Sequence, residues 1–371
     1  MTKFSFNQVV PFEASHVGDV IKDELAARGM KQSELAELTG IQKSILNDII
    51  KGKRSLTPEM ALLLENALGI SATFLMNIQT QYELDCAKLS ERVVLQTKMM
   101  EIWGVLKEQV STVFFKKVSI IKGNIIEDVN RIFDVFGVDN LDDFFGLKAK
   151  EMESSYYYRK SEKVTTNPID IFSWKYYCYY LSKNDTASLG TFDVDNACKL
   201  AKELNKVFRD NNNTKKNTGE ILNKYGIHFL YVNKAGQVPV DGMSFWRGNH
   251  PTIVVTGRIP SIDNFAFTIL HEVGHVYNHL QKDGKAMINI YDGKKDSEES
   301  EADNFALNAV IPDYDWKKFM TKTRDIVPYK IAPYIKAEAD KHEVNPQILF
   351  GRYKHDIGIY KIKNHFETKV L

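Results

Sequence analysis

The chain has few cysteines, no long apolar run and almost no net charge. Its three cysteines, Cys86, Cys178 and Cys198, lie far apart and form no C-x-x-C pair, so neither a disulfide framework nor a cysteine-type zinc site is expected. No apolar run approaches the roughly 18 residues that a membrane-spanning helix needs. A formal charge of +1 excludes a globally basic coat for nucleic acid, although it does not exclude a local basic face.

At 371 residues the chain exceeds what one hydrophobic core comfortably organises, so two or more domains are predicted. Apolar residues make up 43% and charged residues 26% of the chain, which is usual for a folded soluble protein. The N-terminal sequence MTKFSFNQVVPFEASH lacks the basic segment followed by an apolar one that marks a secretory signal. We therefore expect a reducing, cytoplasmic location.

Helical patterns occupy the first part of the chain. Short amphipathic segments separated by glycines fill residues 16–88, and helical spacing with little proline continues over 89–155. We predict an all-α domain over 1–88 and a helical connector over 89–155. The connector has apolar residues that we expect to be buried against a neighbouring domain or subunit: Val93, Val94, Leu95, Met99, Ile102, Trp103 and Leu106.

The second part of the chain mixes strands and helices. After the polar segment 210–219, short β-rich runs appear as GIHFLYV, SFW and TIVVT, and the segment NKAGQVPVDG between the first two resembles a loop. Helical patterns return at 262–281, 297–310 and 327–342. An α+β domain over 156–371 is therefore predicted, which makes the whole chain a multidomain protein.

One stretch of this domain, FTILHEVGHVYNHL at Phe267–Leu280, contains two histidines and a glutamate at the spacing of a metal site. Residues four apart share one face of a helix, so His271 and His275 can bind the same metal ion. Glu272 lies beside them, where its carboxylate can accept a proton from the attacking water during hydrolysis. The alternative is a surface helix that merely carries two histidines.

A catalytic zinc needs a third protein ligand, and the acidic start of the segment DSEESEADNFALNAVIP offers candidates. Glu299 and Asp303 are four residues apart, so Glu299 can be the ligand while Asp303 accepts the N–H of a ligand histidine. Glu301 remains an alternative ligand, although its spacing to Phe305 favours a packed or solvated position. Acidic residues also simply favour a helix N-terminus.

The residues around this motif suggest how it is placed. The small Gly274 lets another segment approach the helix closely. TIVVT is a candidate edge strand, to which an extended substrate could add. His250 and His279 lie near the motif but lack ligand spacing; a surface and a substrate-side position are both open, and the surface is favoured.

With these two motifs the region resembles the ImmA/IrrE family of metallopeptidase domains, in which an H-E-x-x-H helix precedes an E-x-E-A-[DN]-x-F-A helix. The resemblance covers about residues 155–355 and implies a zincin-like fold with bound Zn²⁺ and zinc-dependent endopeptidase activity. It implies His271, His275 and Glu299 as ligands, Glu272 as the base and Asp303 as the support of a ligand histidine.

The N-terminal domain contains the pattern of a helix-turn-helix. If Gln32 begins the first helix, Ala36 falls where two helices need a small side chain and Gly40 falls at the turn, where a positive φ is required. The second helix then has a buried side, formed by Ile45, Leu46, Ile49 and Ile50. A small helical bundle with a polar surface needs the same small residues and is the alternative.

The opposite side of this second helix is polar. Gln, Asn, Ser and Lys side chains contact base edges in the major groove, and basic residues after the helix suit phosphates. Asp48 argues against this assignment, because its charge repels a phosphate. The predicted DNA-binding residues are Gln32, Gln42, Lys43, Ser44, Asn47, Lys51, Lys53 and Arg54.

The segment from His16 to Leu84 is similar to the Cro/XRE-type helix-turn-helix of HigA-like antitoxins. The resemblance implies a homodimer on a double-stranded DNA operator. Lys31 departs from the family, which usually has a Ser or Thr helix cap there, and it should cost some local stability.

The leading hypothesis is a transcriptional regulator whose zinc-dependent endopeptidase domain cleaves or senses a protein partner, such as a repressor or a toxin-related protein. The main alternative is an antitoxin that neutralises a toxin by binding, with a structural or sensory zinc domain. A third hypothesis is a housekeeping peptidase whose helix-turn-helix only dimerises. The intact Glu272 favours a peptidase, and the polar face of the 42–51 helix favours DNA binding.

Overall fold

The computed structural model of the chain describes residues 14–154, 167–232, 240–280, 286–290, 297–362 and 365–370. It forms two compact units, Met1–Trp103 and Gly104–Leu371. The predicted domain boundary at 88/89 stays a prediction, and the one at 155/156 lies outside the described residues. None of the described helices is both long and apolar enough to cross a membrane.

The first unit is all-α, as predicted. Its helices are α1 (Val17–Arg28), α2 (Gln32–Thr39), α3 (Lys43–Ile50), α4 (Pro58–Leu68), α5 (Ala72–Leu89) and the greater part of α6 (Glu91–Leu106). α1 begins with a reciprocal cap, because His16 Nδ1 accepts from the Gly18 N–H and the Asp19 carboxylate accepts from the His16 N–H. α2 begins at Gln32, and Gly40 follows it with φ +68°. Lys31 provides no side-chain acceptor, and Glu34 accepts the Lys31 N–H at 3.1 Å instead.

The apolar residues of the predicted connector differ in how far they are buried. In α6, Leu106 is buried and Met99, Ile102 and Trp103 are partly buried, but Val93, Val94 and Leu95 are exposed. The expected burial of its apolar side is therefore found only toward its C-terminal end. The remaining connector helices α7 (Thr112–Lys117), α8 (Ile125–Phe136) and α9 (Leu141–Ser154) belong to the second unit.

α10 (Pro168–Asn184) supplies the aromatic cluster that packs against these connector helices. Phe172 stacks on Phe136 of α8 at a centroid distance of 5.0 Å, and Tyr177 contacts Phe114 of α7 edge-on at 5.4 Å. Trp174 and Cys178 are fully buried. The cluster is therefore a hydrophobic core.

The rest of the second unit surrounds a four-stranded sheet. Its strands are β1 (His228–Tyr231), β2 (Val240–Arg247), β3 (His250–Val255) and β4 (Met287–Ile290), in the order β1-β3-β2-β4. The helices are α11 (Ala197–Asp210), α12 (Thr214–Lys224), α13 (Ile262–Asn278), α14 (Ser297–Val310), α15 (Asp313–Lys322), α16 (Ala332–Lys341) and α17 (Pro346–Ile357). The predicted α+β fold is confirmed.

β3, which contains most of the TIVVT run, was expected at an edge of the sheet, and this expectation was wrong. β2 and β3 form an antiparallel hairpin, while β1 pairs in parallel with the other side of β3. Both backbone sides of β3 are therefore occupied, and an extended substrate cannot add there. Val240–Gly242 belong to β2 and not to the predicted loop, whereas 233–239 lie outside the described residues.

α13 is the central helix of the second unit. It packs against β2, β3, α11, α14 and α17, and its apolar residues join the main core on more than one side. Residues 271–276 are consecutive and all buried. The His-Glu motif therefore lies inside the unit, where ionisable groups must be paired or bound to a ligand. The surface-helix alternative does not describe its position.

Candidate metal centre and nucleic-acid interface

Three side chains from two helices converge inside the second unit. His271 and His275 on α13 face each other with their Nε2 atoms 3.0 Å apart. The two Glu299 carboxylate oxygens, from α14, lie 3.3 Å from these Nε2 atoms, one oxygen from each. Among the described residues, these three form the group of possible metal ligands whose donor atoms all lie within 4.8 Å of one another.

The spacing of these atoms fits a zinc ion. Ligand atoms about 2.0–2.1 Å from a tetrahedral zinc lie roughly 3.3 Å from each other. The two Nε2 atoms are 3.0 Å apart, and each lies 3.3 Å from a different oxygen of Glu299. Imidazole nitrogen and carboxylate oxygen are also usual zinc ligands. Two histidines and one glutamate leave a tetrahedral ion one further position, as a catalytic site requires.

Each imidazole is held through its other nitrogen. His271 Nδ1 is 2.8 Å from Asp303 Oδ1, which is the support expected from the sequence. His275 Nδ1 is 3.1 Å from Nδ1 of His279, whose Nε2 in turn contacts Glu301. The side chain of His279 is only 6% exposed. The predicted surface position of His279 was therefore wrong.

Glu299 and Glu301 lie in different surroundings, although both are near the start of α14. Glu299 reaches both motif histidines, whereas Glu301 is a 63% exposed side chain that contacts His279. This geometry favours Glu299 over Glu301 as the third ligand. The ligand roles themselves stay predictions.

Glu272 is fully buried beside the two histidines. Burial raises the pKa of its carboxyl group to about 7, against the opposing charges of His275 and His271. The Ser244 hydroxyl also favours ionisation, but neither Glu272 oxygen has a partner within hydrogen-bond geometry in the described part of the chain. Such an unsatisfied carboxyl group beside a possible metal cluster is suited to a polar ligand.

Carboxylates beside the two histidines stabilise positive charge in the cluster. Burial by itself lowers the pKa of His271. Its hydrogen bonds with Asp303 and Glu299, and the negative charges of the nearby carboxylates, outweigh burial and raise the pKa of His271 to about 10. Burial opposes the ionisation of Glu299, yet its contacts with His271 and His275 hold its pKa at about 2. The cluster therefore favours a positively charged occupant.

Two glycines allow the approach of the neighbouring elements. A Cβ on Gly274 would lie 3.1 Å from Ala302 Cα, so this glycine lets α14 approach α13, as expected. A Cβ on Gly242 would lie 2.4 Å from Glu272 Oε1, so the backbone of β2 passes directly beside the carboxyl group. Sequence reasoning missed Gly242 because it placed this residue in a loop; an isolated glycine in a β-rich segment is the signal that could have identified it.

Two further histidines of the second unit, His250 and His342, lie outside this cluster. His250 is partly buried, and its Nδ1 lies 3.0 Å from the Gly226 carbonyl oxygen. His342 contacts Glu338 at 3.0 Å and is also partly buried. Neither histidine is therefore fully at the surface.

In the first unit, α2 and α3 form the predicted helix-turn-helix. Leu46, Ile49 and Ile50 of α3 are buried, and Ile45 is partly buried. On the opposite side, Gln42, Lys43 and Ser44 are exposed, whereas Asn47 and Gln32 are partly buried. The polar face is thus present where the sequence predicts it, and its role in binding DNA stays a prediction for each residue.

The basic residues after α3 are exposed and close together in sequence. The amide N–H groups of Lys53 and Arg54 both donate to the Asp48 carbonyl oxygen, at 2.8 and 3.2 Å, which folds the segment back onto the helix end. None of Lys51, Lys53 and Arg54 forms a salt bridge with another described residue. Their charges are therefore available to phosphates.

Gly18 of α1 determines how closely α1 approaches the end of α3. An added Cβ would lie 2.5 Å from the Ile50 carbonyl oxygen and 2.6 Å from that of Ile49. These are backbone atoms, so a flexible side chain cannot relieve the clash.

We expect Gly18→Ala to lower the free energy of unfolding of the first unit by about 1–3 kcal/mol, the usual cost of overpacking. Hydrogen exchange of the α1 and α3 amides in the full chain measures this loss of stability. Gly104→Ala, in α6 at the start of the second unit, controls for the Gly→Ala exchange itself, because its Cβ would meet nothing within 4 Å; it should be neutral or stabilising by up to about 1 kcal/mol. Equal protection of α3 in parent and Gly18→Ala would contradict the steric argument.

Two family models match separate parts of the chain. A helix-turn-helix model matches residues 21–75, and the model of the IrrE N-terminal-like domain, a peptidase family, matches residues 222–339. The first match contains the polar face of α3, and the second contains the whole histidine and carboxylate cluster.

Individual proteins resemble a smaller part of the chain. An 82-residue segment is 29% identical to virulence-associated protein I of Dichelobacter nodosus, covering 22% of this chain and 76% of that protein. A 67-residue segment is 33% identical to the uncharacterized HTH-type transcriptional regulator YddM of Escherichia coli strain K12, covering 18% of this chain and 71% of that protein. A solved structure of the Pseudomonas aeruginosa antitoxin HigA with the higBA promoter covers 21% of this chain and 85% of that chain, at 29% identity and a TM-score of 0.20.

Proposed function

Because this chain belongs to the Cro/XRE-type helix-turn-helix family and joins that domain to an IrrE N-terminal-like domain, we propose that it is an operator-binding transcriptional regulator with a zinc-dependent peptidase site. The observation that carries the peptidase proposal is the cluster of the buried His271 and His275 with the partly buried Glu299, and the buried Glu272 beside it. A protein partner of the regulator is the proposed substrate.

The proposed operator complex uses α3. The exposed Gln42, which caps α3, and Lys43, Ser44 and Asn47 within it are of the types that hydrogen-bond to base edges in the major groove. The basic residues that follow α3 are free of acidic partners in the described structure and would contact phosphates. We propose that two copies of the chain bind one operator, because a dimer matches the two half-sites of such a site.

The proposed hydrolysis relies on a division of roles within the cluster. When bound, zinc supplies Lewis acidity that polarises a carbonyl group and brings the pKa of water toward neutrality. His271, His275 and Glu299 would hold it. Glu272, buried beside the two histidines, would take up and return a proton. The burial of the cluster keeps these groups in a low-dielectric environment, which strengthens their electrostatic interactions.

Glu272→Gln tests the proposed hydrolysis. The amide keeps the size of the side chain but cannot accept a proton, so peptide hydrolysis should fall by at least about 10²-fold while zinc is retained. Zinc-loaded parent and variant are incubated with an extract of the source cells, and new protein N-termini are counted by mass spectrometry. The substrate that the parent cleaves should be captured intact by the variant.

Glu298→Gln is the matched control, since it makes the same chemical change at an exposed position of α14, and its cleavage products should equal those of the parent. If Glu272→Gln produced the same N-termini as the parent, Glu272 would not be the base. If the zinc-loaded parent produced none, the domain would bind or sense a partner without cleaving it, as an antitoxin does.

A further inference from the structure

We propose that His279 and Glu301 form a hydrogen-bonded relay that orients His275 for metal binding. The inference rests on the proposed zinc site, because it concerns one ligand of that site. His279 lies four residues after His275, at the C-cap of α13, and Glu301 lies on α14 two residues after Glu299. The same pair of helices therefore supplies both the cluster and the relay.

The contacts form a chain from the buried cluster to the surface. His275 Nδ1 is 3.1 Å from His279 Nδ1, and His279 Nε2 is 3.1 Å from Glu301 Oε2. The side chain of His279 is 6% exposed, whereas that of Glu301 is 63% exposed. Both nitrogens of the nearly buried His279 ring are therefore in contact with defined partners.

The protonation pattern of this chain follows from the role of His275. A metal-binding Nε2 uses its lone pair, so the hydrogen of a neutral His275 ring is on Nδ1. This N–H then donates to His279 Nδ1, which must be the unprotonated nitrogen of its ring. The hydrogen of His279 is consequently on Nε2, where it donates to the Glu301 carboxylate. Each donor in the chain meets one acceptor.

The two metal-binding histidines are thus supported in different ways. His271 donates directly to the Asp303 carboxylate at 2.8 Å, whereas His275 would reach a carboxylate only through a second imidazole. Partners of this kind fix the tautomer and orientation of a ligand histidine, and their loss typically costs 10- to 100-fold in metal affinity. His279 is therefore a positioning residue and not a ligand, which agrees with its absence from the converging donor group.

A purely space-filling role for His279 makes a different prediction. Phenylalanine preserves the ring but has no acceptor, whereas asparagine loses the ring but places its amide oxygen close to the position of Nδ1. If packing alone mattered, His279→Phe would be the milder change. If the hydrogen bond matters, His279→Asn should be the milder change and should rescue the ligand orientation.

The experiment measures zinc affinity of the full chain by competition with a chelator, together with the visible absorption of the cobalt(II)-substituted protein. His279→Phe should bind zinc about 10- to 100-fold more weakly and shift the cobalt bands. His279→Asn should recover most of the affinity and the parental spectrum. Glu301→Ala should weaken zinc binding less than His279→Phe, since an exposed carboxylate is screened by solvent.

His342→Phe is the matched control, because His342 and Glu338 form a histidine–carboxylate pair of similar contact distance, 3.0 Å, outside the cluster. It should leave zinc affinity unchanged. Parental affinity in His279→Phe, or equal weakening in His279→Asn and His279→Phe, would overturn the relay while leaving the zinc site intact. A parent chain that binds no zinc would overturn the proposed zinc site and the relay with it.

Discussion

Glu299→Ala should lose the zinc that the parent chain retains in about one equivalent after purification. Glu299 is the side chain whose two oxygens each lie 3.3 Å from a motif histidine. Its removal leaves two imidazoles, fewer than the three protein ligands of a catalytic zinc site. The loss in affinity should exceed the roughly 100-fold that follows the loss of an outer partner. Elemental analysis of the dialysed proteins measures it.

Glu301→Ala is the matched comparison for this experiment, because it removes the same side chain two residues further along α14. It should retain zinc through dialysis, since Glu301 contacts His279 and neither motif histidine in the described structure. Circular dichroism of both variants establishes that α14 still forms. Full zinc in Glu299→Ala together with none in Glu301→Ala would show that Glu301 is the third ligand.

Replacing Lys51, Lys53 and Arg54 together by alanine should weaken operator binding by roughly 10²-fold at physiological salt. Each lost phosphate contact releases one fewer counterion, so the slope of log affinity against log salt should become shallower by about 3. The operator is first selected from random duplex DNA by the parent chain. Binding is then measured between about 50 and 200 mM salt, the range in which such contacts change affinity most clearly.

The control for net charge removes three exposed lysines of α11, Lys199, Lys202 and Lys206. This variant has the same loss of charge at a place unrelated to the helix-turn-helix, so its salt slope should equal that of the parent. Asn47→Ala should instead keep the slope and relax base preference at one position, by about 1–3 kcal/mol. An unchanged slope in the Lys51, Lys53 and Arg54 variant would refute the assignment of phosphate contacts.

Much of the fold was predictable because its signals are local. The start of α2 at Gln32, the positive φ of Gly40 and the bounds of α14 at 297–310 follow from caps, glycines and helical spacing within a few residues. The i,i+4 arrangement of His271 and His275 is likewise a property of one helix. Such features need no knowledge of what packs against the segment.

Features that depend on distant partners were predicted less well. The position of β3 inside the sheet depends on β1, whose pairing with it joins residues 24 positions apart, such as His228 and Thr252. The relay partner Glu301 is 22 residues from His279. His279 did carry a usable signal, because its spacing from His275 is the same as that of the two motif histidines.

The sequence by itself determined the two kinds of domain and the residue types that can bind a metal and DNA, because composition, spacing and helical period are carried by the chain. Only the tertiary structure decided which carboxylate meets which histidine. Glu299 and Glu301 both lie near the start of α14, and their separation into a cluster residue and a relay residue depends on the close approach of α14 to α13 at Gly274. It also decided that Glu272 is buried beside Gly242, which raises the pKa of its carboxyl group to about 7. Burial depends on how distant segments pack together, so it cannot be read from any one segment of the sequence.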